Sequence, residues 1–174
     1  MATARDTKLS ASLEDYLEAI FHIVQAKQVA RAKEIASRMK VTRSSVTGAL
    51  HALADRGLIN YAPYDVVTLT DEGKAVAGEI VRCHQLLRDF FVDVLSVGQG
   101  EADKAACRME HGVSDVVVRR LSYLAEFIDT YLTVERETWQ DEFLQFCRQH
   151  EKVPADRANR VPEALEGIQA DEPA

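Results

Sequence analysis

The stretch AKEIASRMKVTRSSVTGALHALADR, residues 32–56, decides the fold. A short helix fits Ala32 to Met39, and a second helix fits Arg43 to Arg56. The residues between them, Lys40-Val41-Thr42, form a break of three, and Gly57 is suited to end the second helix. Two short helices joined by a tight turn predict a helix-turn-helix.

The flanking sequence extends this unit on both sides. We expect a first helix from an N-cap at Ser12, with Leu13, Leu17, Ile20, Phe21 and Val24 on one face. Two β-prone runs, 58–61 and 66–69, surround a Pro/Asp turn and predict a hairpin. The fold class is therefore mostly α: an N-terminal winged helix-turn-helix with a small β-hairpin wing, followed by an all-helical domain.

The second half of the sequence is helical by its pattern. A long helix follows 70–73, a Gly-containing break falls at 97–100, a shorter helix includes Cys107 to His111, another runs through Val116 to Phe127, and an amphipathic segment covers about 134–149. We expect a DNA-binding domain at 1–72, a helical metal-binding and dimerisation domain at 73–150, and a mobile C-terminal tail at 151–174.

Charge is distributed unevenly along the chain. The formal net charge is −7, but the window from Lys27 to Asn60 holds seven basic and two acidic residues and carries +5. A basic module therefore lies beside an acidic one. This excludes a protein that coats DNA indiscriminately, and it is compatible with a site-specific DNA reader.

The cysteines and the N-terminus indicate a compartment. Cys83, Cys107 and Cys147 are odd in number and lack disulfide-like spacing, which favours a reducing environment. The first dozen residues are polar, unlike a signal peptide, and no apolar run approaches the ~20 residues that span a bilayer. The sequence predicts a cytoplasmic protein without membrane contact.

The second helix of the pair has the residues of a DNA-reading helix. Val46, Leu50 and Leu53 are expected in the core, which leaves its polar N-terminal end free to enter a major groove. The predicted DNA contacts are Arg31, Lys33, Thr42, Arg43, Ser44, Ser45, Thr47 and Arg56. The wing, 61–65, contains no Lys or Arg, and a winged helix used only for protein contacts is the alternative.

A second group of residues has the spacing of metal ligands. Cys107, Glu110 and His111 share one helical face at i, i+3 and i+4, so thiolate, carboxylate and imidazole converge. Asp15 and Glu18 form an i, i+3 pair on the first helix, and His84 lies on the long helix. Singly, each residue has a simpler explanation as a small buried thiol, a surface pair or a helix-start charge.

Several motifs together resemble the DtxR/MntR family of metal-dependent transcriptional repressors. They are SLEDYLEAI at 12–20, RSSVT at 43–47, LTDEG at 69–73, RCHQLL at 82–87 and ACRMEHGVSD at 106–115. The resemblance covers about Ser12 to Phe127. It implies a homodimer that metal activates to repress metal-uptake genes.

The ligands that the resemblance implies form a hybrid set: Asp15, Glu18, His84, Cys107, Glu110 and His111. The manganese-type members have a Glu at the position of Cys107, and the iron-type members have a Cys there but a Met at the position of Asp15. The ancillary site of the iron-type members falls on His84, Arg88 and Asp103, so we expect it to be altered or lost. We also expect their SH3-like C-terminal domain to be absent.

The ligand chemistry predicts Fe²⁺ as activator, with Mn²⁺ second and Co²⁺ or Zn²⁺ binding in vitro, because the thiolate is soft and the carboxylates are hard. The expected partners are a palindromic operator in double-stranded DNA and a second copy of the chain. Two other functions stay open: a winged-helix regulator that senses an oxidant or organic ligand through Cys107, and a metallohydrolase. The sequence offers no nucleophile motif, so we expect no enzyme.

Overall fold

The computed structural model describes residues 9–62, 66–131 and 136–150. The chain divides into two compact units, residues 1–125 and 126–174. The helix-turn-helix and every predicted metal ligand belong to the first unit. The predicted C-terminal tail, the tip of the wing and the start of the last amphipathic segment at Val134 lie outside the described residues.

The first helix, α1, spans Ala11–Lys27 and begins two residues before the predicted start. The N-cap is Ser10, not Ser12: its side-chain oxygen accepts from the backbone N–H of Leu13. The cap is set by this one hydrogen bond, and both serines satisfy the composition rule. Leu17 and Ile20 are fully buried, as the apolar pattern predicted.

The helix-turn-helix is confirmed. Helix α2 spans Ala32–Met39 and helix α3 spans Arg43–Ala54, two residues shorter than predicted. Lys40 adopts the left-handed conformation with φ 57°, and the side chain of Thr42 caps α3 by accepting from the N–H of Ser45. Gly57 follows at φ 72°, the region in which glycine is least strained.

The wing is a three-stranded antiparallel sheet, one strand larger than predicted. Strand β1 is Ala30–Arg31, β2 is Ile59–Ala62 and β3 is Val66–Leu69, in the order β1-β3-β2. Ala30 pairs with Val67, which ties the residues just before α2 to the hairpin. A strand of two residues is too short to have an alternating pattern, so the sequence does not reveal it.

A tight junction joins the wing to the long helix α4, Asp71–Asp89. The Thr70 hydroxyl donates to the carbonyl of Gly57 (2.7 Å) and accepts from the N–H of Gly73 (2.9 Å). A Cβ on Gly73 would lie 1.8 Å from the carbonyl oxygen of Leu58, so only glycine fits here. The junction fixes the direction in which α4 leaves the sheet.

The remaining helices follow the predicted order. After α4 come a π-helical turn at Phe90–Val94, α5 at Gln99–Met109, α6 at Asp115–Tyr131 and α7 at Arg136–His150. The prediction of one helix through Cys107 to His111 is wrong at its end, because α5 stops at Met109 and Glu110 is its C-cap. In the described part of the chain, no helix is long and apolar enough to cross a membrane.

One apolar core lies beneath the reader helices. Leu17, Ile20, Ile35, Val46, Leu50, Leu53 and Val67 are its largest fully buried members. They come from α1, α2, α3 and β3, so the two reader helices pack on α1 and on the sheet. Since α1 also carries Asp15 and Glu18, this core joins the reader helices to the helix that carries predicted ligands.

Candidate metal centre

Three elements bring the predicted ligands together. Helix α1 supplies Asp15 and Glu18, α4 supplies His84, and the C-terminal end of α5 supplies Cys107 and Glu110. His111 lies in the turn after α5. That turn is held by the carbonyl of Met109, which accepts from the N–H groups of Gly112 and Val113, both at 3.0 Å.

Asp15, Cys107 and Glu110 form the centre of the cluster. Each offers one ligand atom, and these atoms all lie within 4.8 Å of one another. Two of the residues are close in sequence, whereas Asp15 comes from another helix. A thiol and two carboxylates at this separation are suited to a single divalent ion.

Glu110 is the buried member of the cluster. Its side chain is 1% exposed, and Oε2 accepts from His84 Nδ1 at 2.6 Å. Its other oxygen, Oε1, is buried without a hydrogen-bond partner and lies 3.4 Å from His111 Nε2 without hydrogen-bond geometry. An orphaned buried carboxylate oxygen is costly unless a cation satisfies it.

His111 lies between consecutive carboxylates of α1. Its Nδ1 is 2.6 Å from Glu14 Oε2, and its Nε2 is 3.0 Å from Asp15 Oδ1. The ring is 13% exposed. The nitrogen that faces the central cluster is therefore Nε2, and Glu14 holds the other side of the ring.

His84 is bracketed in a similar way. While its Nδ1 donates to Glu110, its Nε2 is 3.3 Å from Asp103 Oδ1. Asp103 itself is largely exposed. The other residue of the ancillary-site position, Arg88, pairs with Asp89 at 3.2 Å. The loss of the ancillary site stays a prediction.

Glu18 lies outside the central group of three. Its Oε1 is 3.4 Å from His22 Nε2, one turn further along α1. Its charge still acts on the cluster, since it raises the pKa of both Cys107 and Glu110. The structure therefore brings five of the six predicted ligands into direct contact or into the central group, with Glu18 beside them.

The charges in the cluster shift several pKa values. Burial raises the pKa of Glu110 above its ordinary value and outweighs its hydrogen bond to His84. Burial lowers the pKa of His84, but the hydrogen bond and the charge of Glu110 outweigh it, so the net shift is upward. The pKa of His111 is raised against the same opposing burial by Glu14, Asp15 and Glu110.

The surroundings of Cys107 disfavour its ionised form, the thiolate. Burial raises its pKa, and the surrounding carboxylates, first Glu110 and then Asp15, raise it further. In this negative setting, positive charge nearby would favour the thiolate. The orphaned oxygen of Glu110 and the mixed donor set together fit a divalent transition metal.

The predicted DNA contacts are all exposed and lie on β1, on α2, on α3 with its N-cap Thr42, and, for Arg56, in the turn after α3. At the start of α3, the hydroxyls of Ser44 and Ser45 each lie 2.9 Å from that of Thr42, and Thr47 donates to the carbonyl of Arg43. These hydroxyls thus hold the helix end as well as facing outward. The side chain of Arg43 projects from the first turn of this helix.

The basic side chains of the predicted DNA contacts do not lie in one place. Arg31, Lys33 and Arg38 line an open groove of about 680 Å³ between α1 and α2. Arg56 instead donates to the carbonyl of Ala52 in the preceding turn, at 2.8 Å. Neither Arg56 nor Arg43 is among the residues that line this groove.

Two residues of the site, Glu14 and His22, were not predicted from the sequence, and Asp103 was named only as a position of the altered ancillary site. Glu14 lies in the first turn of α1, and it contacts a histidine 97 residues away. Only the i, i+4 spacing of Glu18 and His22 could have signalled a contact.

Comparison with known proteins gives two family matches. Residues 8–67 match the iron dependent repressor family's N-terminal DNA binding domain, and residues 70–137 match its metal binding and dimerisation domain. The chain is 34% identical over 119 residues to an uncharacterized helix-turn-helix transcriptional regulator of Methanocaldococcus jannaschii, covering 68% of this chain and 95% of that one. It is 31% identical over 116 residues to the regulator MntR of Shouchella clausii, covering 67% and 80%.

Comparison with solved structures gives relatives of the same kind. A manganese-dependent transcriptional repressor in complex with manganese is 32% identical at a TM-score of 0.60, covering 66% of this chain and 53% of that one. The manganese regulator SloR is 29% identical, also at 0.60, covering 66% and 54%. The chain thus spans about half the length of these two structures. It belongs to the DtxR/MntR family of iron-dependent repressors, and it is a metal-dependent, DNA-binding transcriptional repressor.

Proposed function

We propose that Fe²⁺ is the activating ion, with Mn²⁺ second, and that Asp15, Glu18, His84, Cys107, Glu110 and His111 hold it. The observation that carries this proposal is the buried Glu110, whose Oε1 lacks a hydrogen-bond partner within a cluster of thiol, carboxylate and imidazole groups. A bound ion supplies positive charge among these groups. Cys107 favours Fe²⁺, Co²⁺ or Zn²⁺, whereas the carboxylates favour Mn²⁺.

The residues of the cluster connect the ion to the reader helices. Without added positive charge, Asp15 and Glu18 on α1 face Glu110 at the end of α5, and like charges repel. Neutralising them holds α1 against α5. Because α2 and α3 pack on α1, the position of the reader helices is then fixed relative to the metal-binding half.

The proposed assembly is a homodimer on a palindromic operator. Helix α6 supports the dimer, since Val116, Val117, Tyr123 and Leu124 are exposed along it. A symmetric pair places two α3 helices on half-sites about one DNA turn, or a multiple of it, apart. The proposed domain division is 1–72 for DNA, 73–150 for metal and dimerisation, and 151–174 for a tail.

DNA contacts are proposed at Arg31, Lys33, Thr42, Arg43, Ser44, Ser45, Thr47 and Arg56. Arg43 is the residue proposed to read a base, because it is exposed in the first turn of α3. Arg31 and Lys33, which line the groove between α1 and α2, are proposed to neutralise phosphates.

The alternative of an oxidant sensor is less well supported. A redox-sensing cysteine needs a lowered pKa, because the thiolate is the reactive form. Cys107 is exposed, but partial desolvation and the nearby carboxylates raise its pKa instead. Peroxide should therefore leave operator binding unchanged in the absence of metal.

The test of metal choice compares the protein with the Cys107→Glu variant. Operator binding is titrated under anaerobic conditions with Fe²⁺, Mn²⁺, Co²⁺ and Zn²⁺, after chelation. The variant should keep its Mn²⁺ response and lose much of its Fe²⁺ and Co²⁺ response, and it should lack the thiolate-to-cobalt absorption of the parent. Absence of that absorption from the parent would remove Cys107 from the ligand set.

A further inference from the structure

Glu14 is a partly buried carboxylate at the metal centre with no part in the proposed ligand set. It stands one residue before Asp15, in the first turns of α1, and its side chain is 15% exposed. It is not a member of the group formed by Asp15, Cys107 and Glu110. Its hydrogen-bond partner is instead His111 Nδ1, at 2.6 Å.

The two nitrogens of His111 face different surroundings. Nε2 faces the cluster, 3.0 Å from Asp15 and 3.4 Å from Glu110. Nδ1 faces only Glu14 among its hydrogen-bond and ion-pair partners in the described residues. A carboxylate on one nitrogen fixes the ring plane and leaves the other nitrogen directed at the cluster.

We propose that Glu14 is a positioning residue that orients His111 for metal binding and so attaches α1 to the turn after α5. The proposal rests on the proposed function, in which His111 is a ligand. Glu14 acts through the ring and not by touching the ion. It thereby adds a connection between α1 and the metal centre, beside the proposed ligands Asp15 and Glu18.

Asp103 provides an internal comparison. It contacts the outer nitrogen of His84 as Glu14 contacts that of His111, but at 3.3 Å and with 63% of its side chain exposed. Water and salt screen an exposed contact more than a buried one. Glu14 should therefore matter more for metal affinity than Asp103.

The test measures Co²⁺ and Mn²⁺ affinity by calorimetry on the full chain. Loss of a carboxylate that orients a ligand typically weakens metal binding about 10–100-fold, and we expect this of Glu14→Ala. Glu14→Gln keeps an oxygen that accepts from Nδ1, so it should recover most of the loss. Asp103→Asn should weaken binding less than Glu14→Ala does.

Two controls separate positioning from other roles. Glu79→Gln removes an exposed charge from the cavity that Glu14 also lines, and it should leave affinity unchanged. Urea unfolding of the chelated proteins identifies variants that are merely unstable. For Glu14→Ala, the loss of metal-binding free energy should be much larger than the loss of unfolding free energy in the metal-free protein.

A double-mutant cycle tests whether Glu14 acts on metal binding through His111. If Glu14 acts through His111, then Glu14→Ala should change Co²⁺ affinity by less than about twofold in a His111→Ala background. Full additivity, or a Glu14→Gln loss as large as that of Glu14→Ala, would overturn the positioning role. If His111→Ala alone left Co²⁺ affinity unchanged, His111 would not be a ligand, and the proposed ligand set would fail with the inference.

Discussion

The core beneath the reader helices and the interior of the metal centre are built in opposite ways. The core is apolar, with Leu17, Leu50 and Val67 fully buried. The metal centre instead buries Glu110 and encloses His84 and His111 among carboxylates. In the reader, the apolar residues that form the core are separate from the exposed residues proposed to contact DNA, whereas in the metal centre the buried groups are themselves proposed ligands.

This difference determines what a mutation does. A substitution on the exposed face of α3 should change DNA binding and leave the core intact. A substitution in the metal centre changes ligand chemistry and local stability together, because its groups depend on one another for charge balance. Four predictions follow from this contrast.

The largest expected effect is in the core. Leu50→Ala should lower the free energy of unfolding by about 2–5 kcal/mol, since it removes a fully buried side chain and leaves a cavity. The loss should be similar with chelator and with metal, because Leu50 belongs to the apolar core and is not a proposed ligand. Urea unfolding measures it, with the more exposed Val41→Ala as control. A loss confined to the metal-bound protein would break the comparison.

The next effect is in the metal centre. With metal at 100 times its Kd, binding should add about 2.7 kcal/mol to the free energy of unfolding. If Glu110→Gln weakens affinity about 100-fold, that gain should fall to about 0.4 kcal/mol. Glu101→Gln, which removes an exposed carboxylate from the same helix, should keep the gain. An unchanged gain in Glu110→Gln would show that Glu110 is not a ligand.

The third effect concerns DNA. Arg43→Ala should cost about 1–3 kcal/mol on operator DNA if the side chain reads a base, and less on random DNA. Lys33→Ala should weaken both alike and reduce the salt dependence. The free energy of unfolding should stay unchanged in both variants, because both side chains are exposed and lie outside the apolar core. Equal losses of Arg43→Ala on both DNAs would reassign it to a phosphate contact.

The same contrast explains what the sequence could predict. Apolar periodicity identifies α1, α2 and α3 and their buried faces, because a core residue is specified by local spacing. The ligand set could be proposed because Cys107, Glu110 and His111 are close in sequence and the family motifs add the others. These positions lie in the described part of the structure, and their metal role stays a prediction.

Long-range polar contacts could not be predicted from the sequence. The contact of Glu14 with His111 depends on how α1 packs near the end of α5, and no pattern records that. The two residues of β1 were missed because pairing with β3, not composition, makes them a strand. The end of α5 was also missed, because Glu110 keeps helical dihedrals while the chain turns away after it.

The smallest effect is the pH dependence of the metal-free protein. The pKa values of His84 and His111 are raised above 6.5, so the folded state holds protons that the unfolded state releases. Their contribution to stability is fully present below pH 6.5 and is lost as pH rises through the raised values. The raised pKa of Glu110 acts in the same direction, since ionising a buried carboxylate destabilises the folded protein.

Urea unfolding with chelator should therefore show stability falling as pH rises through neutrality, with a shallower fall in His111→Asn. Metal affinity should change oppositely, because Cys107 and both histidines must lose protons to bind. Metal-free stability that rises over this pH range would contradict the charged interior assigned to the metal centre.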